Sequence, residues 1–382
     1  MKNSQRLLAL DVLRGLTIAG MILVNTAGTW SYIYGPLKHA PWNGLTPTDV
    51  IFPFFLFMMG VSMYISLKKF SFHLDKQLFI KIIRRSLVIF LIGTAIYTLA
   101  TFLGSLREAS SQADYMGNPW QEAFASLTHT RILGVLQRLG LCYGIGAIIV
   151  TTCRHRYIPY LIGTILVGYY LILLFGNGFV HGPESILSYV DRTVLGPGNM
   201  INDRGIDPEG VLSTIPSVAQ VLIGFCIGKM CMETPDMKEK LNRLFLYGAI
   251  MLIVGLLFSY GCPLNKKVWT PTFVLATCGF ACLLLGILIE FIDVKKVYKQ
   301  TWPFEVFGVN PLFCYVLSEV MAICADYLPL HSATVHEVIY DNLLCSWFGD
   351  NEWSSFLYAF SFVLIVWLIG IVLYRKKIYI KI

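Results

Sequence analysis

Residues 38–60 read KHAPWNGLTPTDVIFPFFLFMMG. A lysine, a histidine, a Trp-Asn-Gly turn and an aspartate run without a break into a wall of phenylalanine, leucine and methionine. The apolar run continues to Leu67, so 48–67 is long enough to cross a hydrocarbon core about 30 Å thick as an α-helix. Comparable runs lie at 8–31, 82–103, 132–152, 157–175, 211–229, 244–260, 269–290, 303–325 and 355–374, ten spans in all. The composition agrees: 56% of the 382 residues are hydrophobic and 14% charged, against about 25% charged in a soluble domain. Backbone amides in lipid must be satisfied within their own segment, and the alternating strands of an outer-membrane barrel are absent. The expected fold is an all-α polytopic membrane bundle of ten helices forming one domain, 1–382.

Lysine and arginine predict the orientation. Of the 30, placing both termini in the cytoplasm puts 21 inside and 7 outside, with Arg14 and Arg138 within spans. The net charge of +7 is then topology and not a nucleic-acid footprint. MKNSQR is a basic start, but Asp11 and Arg14 follow and no small-residue cleavage site does, so the first span is expected to be retained. The longer connections, 32–47, 104–130, 176–210 and 326–354, all fall outside, where a water-soluble substrate would be met. Loop 176–210, rich in glycine, proline and acids, is long enough to suggest a function. Of the ten cysteines, Cys142, Cys226, Cys278, Cys282 and Cys314 sit in apolar runs as small hydrophobes; the pairing of Cys262, Cys324 and Cys345 is not legible from spacing.

Ionisable groups inside spans are expected to face a cavity or a partner; here they are Asp11, Arg14, Arg138, Glu305 and Glu319. Asp11 and Arg14, three apart, share a helix face and can pair, which suits either a structural pair or the holding of an anionic ligand. Arg138, two turns into the fourth span, is read as cavity-facing. Asn25 lies near the outer end of the first span, on the side of His39, and Asp49 stands where the second span begins and can cap it. A neutral imidazole there can accept a proton from an attacking amine or hydroxyl, with a neighbouring carboxamide or carboxylate fixing its tautomer. That chemistry suits acyl transfer. No metal centre is expected, because H-x-x-x-H, H-E-x-x-H and C-x-x-C spacings are missing, as are a nucleophile elbow and a P-loop.

Six blocks carry a resemblance: LDVLRGLTIAGMILVN at 10–25, the 38–60 stretch, RILGVLQRLG at 131–140, DPEGVLSTIPSVAQVLIG at 207–224, CPLNKKVWTPTFVL at 262–275 and GVNPLFCYVLSEV at 308–320. With them the chain resembles the heparan-α-glucosaminide N-acetyltransferase family. The resemblance implies a polytopic enzyme taking acetyl from cytosolic acetyl-CoA to a glucosamine amine across the membrane. The family's active histidine falls on His39, its asparagine on Asn25 and the motif's aspartate on Asp49. A homodimer is also implied. The long N-terminal luminal segment of the animal enzymes has no counterpart here, so the acceptor, an amino sugar or oligosaccharide, stays open, as does its setting, expected to be a bacterial inner membrane with lipid as the surrounding partner.

Acetyl-CoA is expected to enter from the cytosol, its phosphates near Arg14, Arg84 and Arg85, whose forked guanidinium donors suit phosphate, with Arg138 a further donor-site candidate. Within the matching blocks, Trp42, Asn43, Asp207, Glu209, Asn265, Asn310 and Glu319 are the acceptor-site candidates. His39 can act as general base or carry the acetyl group itself, and Asn25 can orient the ring or donate to the oxyanion. Two rivals use the same residues: a secondary transporter for a sugar or glycan fragment, with the embedded charges as coupling groups, and a scaffold in which they are helix glue.

Overall fold

The computed structural model describes residues 7–111, 117–330 and 333–380. Lys2, Arg6 and Lys381, counted in the charge balance, lie outside the described residues. Among the described residues the regular structure is almost entirely helical; Pro329–Leu330 pairs antiparallel with Ala333–Thr334. Among the described residues nine helical stretches are long and apolar enough to cross a membrane, and one bent pair makes a possible tenth. All ten cysteines are unbridged.

The first helices are α1 (Leu8–Asn25), α2 (Pro47–Leu67), α3 (Lys76–Ser111), α4 (Pro119–Ala125), α5 (Val135–Thr152), α6 (Ile158–Phe175) and α7 (Ile186–Val194). They are followed by α8 (Thr214–Glu233), α9 (Met237–Phe258) and α10 (Pro271–Ile289). Helices α1, α2, α5, α8 and α10 are mostly enclosed, while α3, α6 and α9 turn most of their surface outward. In lipid, helices gain nothing from hiding apolar side chains from each other, so close packing needs small residues. A Cβ added at Gly60 would overlap the Val221 carbonyl, and one at Gly224 the Phe57 carbonyl, so α2 and α8 run in backbone contact.

Three departures from the expected boundaries matter. The first span ends at Asn25 and not at 31, which places Asn25 in the last turn of α1. Loop 104–130 is partly helical: α3 continues to Ser111, a helix of 36 residues and about 54 Å, and α4 follows. The span expected at 303–325 is broken into α11 (Trp302–Val309) and α12 (Pro311–Tyr327), bent by 83° at Asn310. Pro311 has no N–H to donate and drives the preceding residue out of the helical region, so Asn310 sits at φ −126°, ψ 55°. After short helical turns through 335–348 the last helix, Glu352–Arg375, completes the bundle.

Candidate active site

The two ends of the bundle are chemically different. At one end, residues 38–46 fold over the start of α2. Asp49 is the third residue of that helix and not its cap: Thr46 takes the capping position, and Asp49 Oδ2 accepts from Thr46 N, Thr46 Oγ1 and Ala40 N at 3.1, 2.9 and 3.1 Å. The other oxygen, Oδ1, lies 2.7 Å from His39 Nδ1. The carboxylate is almost fully buried, whereas 46% of the His39 side chain is exposed. A ring held this way donates Nδ1–H to Asp49 and presents Nε2 outward as the acceptor.

Lys266 Nζ closes over the same ring, 3.3 Å from Nδ1 and 3.4 Å from Nε2, and 4.0 Å from Asp49 Oδ1. Burial holds Lys266 below the usual lysine range, an effect that nearby Glu209 and Asp49 partly offset. Its loop is locked to that of His39. Asn265 Nδ2 donates to Asn43 Oδ1 at 3.1 Å, Gly44 N donates to Leu264 O at 2.8 Å, and Gly44, at φ 134°, takes a conformation that suits glycine alone. Trp42 stacks on His181 with ring centres 4.0 Å apart and donates to Phe179 O at 3.0 Å. His181 and Lys267 both reach Asp203, at 3.1 and 2.7 Å. Loops 38–46, 176–210 and 259–270 thus interlock around His39.

Beneath them lies a buried ionic cluster. Arg131 donates to both oxygens of Asp207, at 3.3 and 2.7 Å, to Glu209 at 2.6 Å and to the Tyr97 hydroxyl at 2.9 Å. Buried charges are tolerable when their donors and acceptors are matched in this way. Burial pushes Glu209 up, but Arg131, Arg138 and Lys266 together hold it below the usual carboxylate range. Asp191 accepts from Asp207 N at 3.2 Å and Val211 N at 2.8 Å, a peg around which 207–211 wraps, and burial raises its carboxyl to about 6.

Asn25 is not a partner of the imidazole. Its amide donates to Glu319 Oε1 at 3.0 Å, and Tyr315, one turn earlier on α12, reaches the same carboxylate. Tyr315 in turn lines a cavity of about 460 Å³ that continues toward the opposite end, past Met21, Ser62 and Ser66 to Arg14 and Arg85. Along α2 its lining runs from Phe55 to Ser66, about 16 Å. Arg14 donates to Ser62 at 2.8 Å, to Asp11 at 3.2 Å and to Gly308 O at 3.3 Å, so the expected pair with Asp11 forms at the cavity wall. A second cavity, about 530 Å³, shares Ser66, Arg85 and Tyr143 with the first and adds Arg84 and Lys81.

The structure therefore brings His39, Asp49, Trp42, Asn43, Asn265, Asp207 and Glu209 to one end and Arg14, Arg84 and Arg85 to the other, with Asn25 and Glu319 bonded to each other beside Tyr315. Two residues fall elsewhere than their expected places. Arg138, read as a donor-site residue facing a cavity, is fully buried at the His39 end. It donates to the carbonyls of Pro208 and Gly210 at 3.3 and 3.2 Å and to Ser213 Oγ, with Trp269 5.0 Å from its guanidinium. The neighbours that do line the cavity, Leu136 and Leu139, occupy another face of α5. Asn310, read as an acceptor-site residue, lies at the Arg14 end, because the helix break that it forms packs there. Lys266, Arg131, Tyr97, Tyr315 and Asp191 were not singled out from the sequence. For Lys266 and Arg131 there was a signal, positive charge on the side that the charge balance otherwise leaves poor.

A family model described as "Heparan-alpha-glucosaminide N-acetyltransferase, catalytic" matches residues 6–260. The chain is 27% identical over 441 residues to heparan-alpha-glucosaminide N-acetyltransferase of Mus musculus, covering 100% of this chain and 61% of that protein. It is 27% identical over 442 residues to the Homo sapiens protein, covering 99% and 60%. The chain thus spans about three fifths of the length of the curated relatives it matches.

Proposed function

This chain belongs to the heparan-alpha-glucosaminide N-acetyltransferase family, and from that premise we propose that it is a multi-pass membrane enzyme moving acetyl from cytosolic acetyl-CoA to the amine of a glucosamine-type sugar on the far side of the membrane. The observation that carries the reading is the His39–Asp49 pair at 2.7 Å, half-open to solvent. The cavity supports the donor half. Its arginines sit at one end, suited to phosphates, and its largely apolar lining suits a pantetheine arm. The 21 to 7 division of lysine and arginine supports the Arg14 end as cytosolic.

Asp49 accepts Nδ1–H, leaving the Nε2 lone pair to take the proton of the sugar amine as its nitrogen bonds to the thioester carbonyl carbon. The C–S bond then breaks, the thiolate leaves with the electron pair, and the proton held on Nε2 passes to it. The Lys266 ammonium is placed to stabilise oxyanion charge during this step. Asn25 gives its amide to Glu319 and not to the ring.

Purified protein in proteoliposomes, given radiolabelled acetyl-CoA and glucosamine, is expected to form N-acetylglucosamine with no imposed ion gradient. Glucosamine accumulation without acetylated product would favour the transporter instead. Orientation is tested with single cysteines at exposed Ser71 and Thr193 in a variant without Cys153 and Cys345. An impermeant maleimide applied to intact spheroplasts is expected to label position 193 and spare 71.

A further inference from the structure

The last helix ends in a turn that carries the chain back across the bundle. Ile378 N donates to Leu373 O at 2.9 Å and Lys377 N to Tyr374 O at 3.1 Å, with Lys377 in the left-handed region at φ 54°. This is the closure in which helices usually place glycine, so a lysine there carries backbone strain. The strained turn persists because its product is held. Asn310, at the break between α11 and α12, donates Nδ2 to Ile378 O at 2.8 Å and accepts from Ile380 N at 2.9 Å through Oδ1. A buried side-chain amide thus pairs with a strand-like tail as a neighbouring strand would. Ile380, only half-covered, lines the 460 Å³ cavity together with Val309, Pro311 and Leu312, at the end that holds Arg14.

Resting on the donor reading above, we propose that residues 376–380 form a strap that supplies one wall of the acyl-donor site, with Ile380 touching the bound donor and Asn310 a positioning residue acting through the tail. The strap lies outside the matched segment 6–260. The two hydrogen bonds to Asn310 are its side-chain tether, so the donor can be admitted and enclosed by movement of five residues without opening the bundle. Lys376 and Lys377, both exposed, put two positive charges on the strap itself.

The experiment uses full-length protein in nanodiscs with acetyl-CoA as the probe. In an Ile380→Cys variant lacking Cys153 and Cys345, acetyl-CoA at ten times its dissociation constant is expected to slow maleimide labelling about tenfold, the free fraction at that occupancy. Asn310→Ala is expected to speed labelling without ligand and to raise KM for acetyl-CoA about tenfold, the weight of two modest hydrogen bonds, with kcat and the acceptor KM unchanged. Because Asn310 is buried and its variant could fold poorly, Ile380→Asp on the half-exposed tail is the second test, with the same rise in donor KM expected. If the parent binds and uses acetyl-CoA but labelling at 380 is indifferent to it, or Ile380→Asp leaves donor KM unchanged, the strap is wrong while the enzyme reading stands. If the parent does not bind acetyl-CoA, the donor reading fails and the strap with it.

Discussion

Asp49 holds His39 by one carboxylate oxygen and the start of its own helix by the other: Oδ1 is 2.7 Å from the imidazole and Oδ2 accepts from Thr46 and Ala40. Ring orientation and helix capping are therefore one structural feature. The nine residues between them cannot shift without disturbing both.

Asp49→Asn is expected to lower kcat by up to about 10⁴-fold, as when a histidine general base loses the carboxylate that fixes its tautomer. It is also expected to lower thermal stability, by about 1–3 kcal/mol, because a carboxamide has one acceptor oxygen where the carboxylate has two, so either the backbone donors or the imidazole N–H loses its acceptor. Steady-state acetylation and a thermal shift in the same detergent measure the two. Loss of stability with parental kcat would leave Asp49 a member of the capping box and nothing more.

The membrane fold was legible because lipid leaves the chain few solutions: each long apolar run had to become a helix. The pairing of His39 with Asp49 was half-legible, since both were singled out together, but the capping residue is Thr46, and the choice between two oxygens is a matter of geometry. Asn310 shows why the rest was hidden. Its Asn-Pro dipeptide is a turn signal inside an apolar run, and hydropathy, which sums over the window, passed over an 83° bend. Arg138 failed for a related reason, because a charge in a span announces a partner without saying which face or which end it serves. Lys266 and Arg131 were counted as minority charges, when a cation on the disfavoured side is itself a reason to look for what holds it.

Lys266 offers a pH test. Burial lowers its proton affinity, so its ammonium is lost at a lower pH than an ordinary lysine's, and acetyl transfer is expected to decline as pH rises through that lowered value. Lys266→Met should cost about 10²–10³-fold in kcat if the charge stabilises the oxyanion. Lys266→Arg keeps its charge at high pH and should move the alkaline decline upward. An unchanged pH profile in the arginine variant would remove Lys266 from the mechanism.

Asp191 offers a stability test with the opposite sign from the usual carboxylate. Its folded value, about 6, lies above the ordinary 3.8, so the folded state binds the proton more tightly than the unfolded one. The contribution to stability therefore rises as pH falls from about 6 to 3.8 and is absent above that window. Asp191→Asn should flatten the melting profile across this interval. A parental slope in the variant would show that another group is responsible.

The most direct test of the account is acetyl transfer to glucosamine by purified His39→Ala protein, shown to be folded by thermal shift and to bind acetyl-CoA. The account expects binding to survive and turnover to fall at least about 10²–10⁴-fold, the contribution of a general base, with an obligatory acyl carrier costing no less. Turnover within about threefold of the parent, well below that contribution, would contradict it and return His39 to an ordinary loop histidine.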